Sequence, residues 1–143
     1  NTGGETPLNV VEVKYLRTAE VYLNVAEAAL RKPTKDEALA NQLLNTLKAS
    51  RYSGYVSTTL TGQALLDEVM KQRRLELAFE NDRFYTFKRL GLALQRTGEG
   101  PNVDGTGTAS LVQSIQPTDH RWQWPIPLSA INVNPNIQQN PGY

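Results

Sequence analysis

The chain has 143 residues, 39% of them apolar, with a formal net charge of +1, no cysteine and a single histidine. That length suits one globular domain with a real core, and the near-neutral balance offers no overall basic field to nucleic acid or an anionic membrane surface. Missing cysteines exclude disulfides, thiolate nucleophiles and finger-type zinc sites, and the lone His120 argues against a histidine-based metal site.

The opening NTGGETPLNV has no basic segment, no apolar segment and no initiator methionine, which predicts a cut upstream of this domain and an absent amino-terminal part. No stretch approaches the roughly 20 continuous apolar residues of a membrane span. From Tyr15 to Leu30 a helix is predicted, with Leu16, Ala19, Leu23, Ala26 and Leu30 on one face and Tyr15, Tyr22 and Ala29 widening it. Ala19, Ala26, Ala28 and Ala29 allow a neighbour to approach closely. Pro33 stops this helix, and Asp36 and Glu37 favour the start of a second one, whose stripe is Leu39, Ala40, Leu43, Leu44 and Leu47 and which runs to about residue 49. The pair has the length of one tetratricopeptide-type repeat, or of an ordinary αα-hairpin.

A loop with Tyr52 and Tyr55, both expected to be exposed, leads to a third helix capped by Thr59 or Thr61. Its predicted stripe, Leu66, Val69, Met70, Leu77, Phe84 and Phe87, continues unbroken through KQRRLELAFENDRFYTFKRLG and carries Arg73 and Glu80 with it. Glu76 lies three residues from Arg73 and Arg83 three from Glu80, so each carboxylate is expected to pair along this one long charged helix. A glycosidase pair at Glu76 and Glu80 would need one raised pKa, which the neighbouring arginines oppose. A nucleic-acid surface of Lys71, Arg73, Arg74, Arg83, Lys88, Arg89 and Arg96 is interleaved with acids and lacks an aromatic platform. The remaining reading is a partly buried ionic brace between helices.

Beyond Leu94 most of the prolines gather and asparagine and glutamine replace charge, which predicts little regular helix. GEGPNVDGTGTAS is expected to be a surface loop. Trp122, Trp124, Ile126, Leu128, Ile131 and Ile137 are expected to anchor a tail that wraps the helices and buries its aromatic rings.

LRTAEVYLNVAEAALR, QRRLELAFENDRFYTFKR, WPIP and the ending NPNIQQNPGY occur in that order. Together, over Tyr15 to Tyr143, they resemble the carboxy-terminal domain of the SusD/RagB family. The resemblance implies a mainly α fold: a tetratricopeptide-type hairpin and a long charged helix over residues 15–94, then an irregular wrapping tail over residues 95–143. It also implies non-catalytic oligosaccharide binding, with no cofactor and no metal, at the outer surface of Bacteroidetes-type bacteria. The implied partner is a SusC-like TonB-dependent outer-membrane transporter. Membrane attachment would come through an amino-terminal lipid anchor that this chain lacks.

Arg73, Arg74, Glu76, Glu80, Arg83, Lys88 and Arg89 match the family's charged pattern, while Gln72 stands where a glutamate is common and Thr86 where an aspartate is common. These residues, with Trp124 to Pro127 and Asn140 to Tyr143, are expected to be structural. The family's glycan contacts lie in regions amino-terminal to this one, so none transfers. From the residues alone, sugars favour an aromatic face beside hydrogen-bonding groups. Trp122, beside His120, Arg121 and Gln123, is the candidate carbohydrate-binding residue, followed by Tyr52 and Tyr55, with simple packing of Trp122 as the competing role. A protein–protein scaffold without sugar affinity is the alternative function.

Overall fold

The computed structural model describes residues 16–95, 114–134 and 136–143. The chain divides into two compact units, Asn1–Glu80 and Asn81–Tyr143, and is mainly helical.

In the first unit, α1 (Thr18–Arg31), α2 (Glu37–Arg51) and α3 (Gly62–Glu76) pack together, α1 touching both of the others. The α1 stripe is the predicted one, with Ala19, Leu23, Ala26, Ala29 and Leu30 buried, except that Leu16 and Ala28 are exposed and Tyr15 lies outside the described residues. On α2, Ala40, Leu44 and Leu47 are buried, with Leu39 and Leu43 packed beside them. Pro33 leaves Lys32 extended at the end of α1, and the Asp36 carboxylate accepts from Leu39 N, satisfying one of the free N–H groups that open α2. Thr61 occupies the N-cap of α3, but its side chain makes no capping bond. Gly62 N instead donates 2.9 Å to Glu37 Oε1, so the first residue of α2 caps α3.

The loop between α2 and α3 is held by two asparagines one helical turn apart. Asn41 exchanges hydrogen bonds with Leu60 through both backbone groups (2.9 and 3.0 Å), and Asn45 does the same with Thr58 (2.9 and 3.1 Å). Four helical residues rise ~6.0 Å and two extended residues span ~6.6 Å, so an i, i+4 pair of amides matches an i, i+2 pair on a strand-like segment.

The predicted single charged helix is two helices. α3 ends at Glu76, residues 77–81 form turns, and α4 spans Asp82–Leu90. Phe79 and Asn81 adopt positive φ (66° and 60°), the latter in a residue whose short polar side chain tolerates the left-handed region. A stripe of apolar residues continues in register across such a break, so periodicity alone does not reveal it. The buried face of α3 is also rotated from the predicted stripe: Leu65, Val69, Gln72 and Arg73 are buried, while Leu66 and Met70 are half-buried.

In the second unit α4 ends at Gly91 (φ 60°), where Leu92 N reaches back to Phe87 O at 3.0 Å in a Schellman-type closure. β1 (Leu94–Gln95) pairs antiparallel with β2 (Ser114–Ile115), with Leu94 opposite Ile115. The expected loop GEGPNVDGTGTAS lies outside the described residues. A short 3-10 turn (His120–Trp122) and α5 (Leu128–Val133) follow, and the other described residues of the tail after β2 are irregular, as predicted.

Candidate functional site

The charged stretch builds a brace in the first unit, with partners other than those expected. Glu76, whose side chain is 9% exposed, accepts from Arg17 Nη1 (3.0 Å) and from both Nε and Nη2 of Arg51 (2.9 and 2.8 Å). Glu80 pairs with Arg17 at 2.8 Å. Buried Arg73 reaches Asn24 and Glu20 on α1. The predicted i, i+3 pairing of Glu76 with Arg73 is thus replaced by bonds that tie residues before α1, at the end of α2 and at the end of α3 together. Arg83 stacks on the Phe87 ring at 4.1 Å.

The Arg51 hydrogen bonds hold the Glu76 carboxyl below its ordinary pKa, with burial opposing and Arg17 assisting. A proton donor for glycoside cleavage needs the opposite shift. Gln72 is buried and bridges: its amide donates 3.0 Å to Glu68 and accepts from the Tyr52 hydroxyl at 3.0 Å. Two carboxylates there would repel, whereas an amide satisfies both neighbours.

Tyr52 is 41% exposed and Tyr55 half-buried, with ring centroids 6.4 Å apart and tilted by 41°. The Tyr55 hydroxyl donates to Asn45, and Lys48 sits over the Tyr55 ring while pairing with Glu68 at 2.7 Å. These hydroxyls are committed to internal bonds.

In the second unit Trp122 is 6% exposed. It stacks on Phe87 (6.2 Å, 18°), lies against Phe84 (5.3 Å), and its indole N–H donates 2.7 Å to Gln116 O. Its faces are therefore occupied by packing. Of the two tryptophans it is Trp124, expected to be an anchor, that is open, at 70% exposed; Leu128 is 69% exposed as well. Inward or outward placement of the two tryptophans depends on the 3-10 turn, which no periodicity in this segment signals.

The tail is knitted by side-chain amides. Gln139 exchanges bonds with both backbone groups of Ile126 (2.8 and 2.9 Å), Asn140 donates to Trp124 O, and the Tyr143 hydroxyl donates to Gln123 O. WPIP and NPGY are thereby bound to each other, consistent with a structural role. Gly142 (φ +94°) lies so close to His120 that a Cβ there would sit 2.6 Å from the imidazole, and Tyr143 meets that ring edge-on at 5.0 Å. An open pocket of about 390 Å³ lies here, lined by residues including Lys88, Thr118, Asp119, His120, Trp122 and Gln123.

The sequence profile of the SusD family matches residues 8–143. The chain belongs to the SusD family. A SusD-family relative, the starch-binding protein SusD of Bacteroides thetaiotaomicron, is 31% identical in an alignment of 136 positions that covers 92% of this chain and 22% of that protein. A crystallised Bacteroides vulgatus protein, provisionally named as sugar-binding, shares the fold with a TM-score of 0.68 and 32% identity over 90% of this chain and 28% of its own. This SusD-family chain spans less than a third of either relative.

Proposed function

We propose that this chain is the carboxy-terminal part of a non-catalytic protein that binds oligosaccharides at the outer surface of the cell and passes them to a SusC-like TonB-dependent transporter. The observation that carries this reading is the family match over residues 8–143, joined to 31% identity with a starch-binding protein. Absence of catalysis is supported by Glu76, whose carboxyl is held ionised by two arginines rather than poised to donate a proton. In this reading the described residues serve as scaffold: the three-helix unit carries the ionic brace, and the second unit binds its own tail together.

Isothermal titration of the full-length protein against a panel of neutral and acidic oligosaccharides, with a pull-down from outer membranes, tests the proposal. Saturable binding to at least one glycan class and co-purification of a β-barrel transporter are expected. Uniform absence of glycan binding would overturn it, and recovery of peptide or protein partners without the transporter would favour a helical interaction scaffold.

A further inference from the structure

We infer that the pocket at Lys88 and His120 is a subsite for an anionic sugar, with the carboxylate of a hexuronic acid unit placed against Lys88; the inference rests on the glycan-binding reading above. The volume of about 390 Å³ falls within the range of roughly 300–1,000 Å³ common for small-molecule sites.

Its charge is decided by which lining groups are already used. Asp119 accepts from Arg121 three times, from the backbone N (2.9 Å), Nε (2.8 Å) and Nη2 (2.6 Å), so the one carboxylate in the lining is neutralised by its own neighbour. Those bonds also keep its carboxyl ionised well below the usual range. Lys88 lines the same pocket from the last turn of α4, and its side-chain ammonium makes no ion pair or hydrogen bond among the described residues. The balance is one unspent positive charge.

The rest of the lining suits a sugar ring. The Gln123 side-chain amide and the Thr118 hydroxyl have no internal partner among the described residues, leaving donors and acceptors for ring hydroxyls. Trp122 supplies an apolar border, and His120 is held in place by Gly142 and Tyr143, so this wall is preorganised. Lys88 also lies where a cation favours a helix C-terminus, a structural role that would influence melting and leave sugar affinity untouched.

The test is isothermal titration of the full-length protein with α-1,4-linked trigalacturonate and with a neutral galactose trisaccharide, using wild type, Lys88→Gln, Lys88→Arg and Gln123→Ala. Trigalacturonate should bind, with affinity reduced about tenfold or more in Lys88→Gln and retained in Lys88→Arg, because a charge-assisted hydrogen bond is lost in the first and kept in the second. Gln123→Ala should weaken it by a smaller factor, and neither exposed substitution should alter neutral-sugar binding elsewhere in the protein. Unchanged trigalacturonate affinity in both Lys88→Gln and Gln123→Ala would overturn the inference. Binding of neutral but not acidic oligosaccharides by wild type would overturn it while leaving the general glycan-binding proposal standing, and absence of all glycan binding would overturn both.

Discussion

Replacing Glu76 by glutamine keeps its shape and removes its charge. In the folded chain its nearly buried carboxylate receives three guanidinium hydrogen bonds, two of them the parallel fork of Arg51. Breaking a fully buried ion pair costs ~3–5 kcal/mol, whereas exposed pairs contribute ~0–1 kcal/mol. Here the acceptor is 9% exposed, but Arg17 and Arg51 are 28% and 45% exposed and regain water once it is gone. The cost lies between those limits, at about 2 kcal/mol, and for a chain of this size lowers the melting temperature by about 4–8 °C. Glu80→Gln is the matched control: its carboxylate is 44% exposed and paired with Arg17 alone among the described residues, which places its cost under about 1 kcal/mol. Differential scanning calorimetry of the two variants separates the cases. Equal melting of Glu76→Gln and wild type, or an equal loss in both variants, would refute the claim that burial of Glu76 makes the brace stabilising.

The same carboxylate predicts an acid limb. Hydrogen bonding to Arg51 lowers the folded pKa of Glu76; burial pushes that of Glu68 up, but the bonds from Lys48 and Gln72 and the charges of Lys48 and Lys71 outweigh it, so Glu68 is lowered too. A depressed folded pKa means that the unfolded chain binds more protons, so this stability is fully present above the unfolded value of about 4.3 and is lost as pH falls through the folded values; urea midpoints should be level from about pH 7 to 5 and drop below about pH 4, and a midpoint that rises on acidification would contradict it. Asn41→Ala removes both bonds to Leu60 and should cost about 2 kcal/mol, with faster hydrogen exchange at Leu60 N; unchanged exchange there would show that the loop is held by something else. Gly142→Ala places a methyl group into His120 at a positive φ and should cost about 1–3 kcal/mol, visible in thermal melting and as a changed His120 ring shift in NMR; an unaltered shift would mean that the carboxy terminus does not sit against that ring.

Several features were legible in the residues because their causes are local. Pro33 stops α1 by its ring geometry, Asp36 caps α2 within one turn, and the alanine and leucine spacing of both helices names their buried faces without reference to anything distant. The ordered motifs carried the family. The candidate sugar-binding ring was less legible: Trp122 and Trp124 stand two residues apart in an irregular segment, where the side of the chain each ring takes is set by a 3-10 turn and by the Phe84 and Phe87 rings available to cover one of them.

Composition and local periodicity determined that this chain builds a helical hairpin followed by a charged helical stretch and an irregular tail, since helix propensity, capping and apolar spacing act over one or two turns. Tertiary structure alone decided which charges meet. Arg73 and Glu76 are neighbours on one helix, yet Glu76 bonds to Arg17 and Arg51 because packing brings those guanidinium groups to a carboxylate already shielded from water, where a hydrogen bond is stronger than along an exposed helix surface.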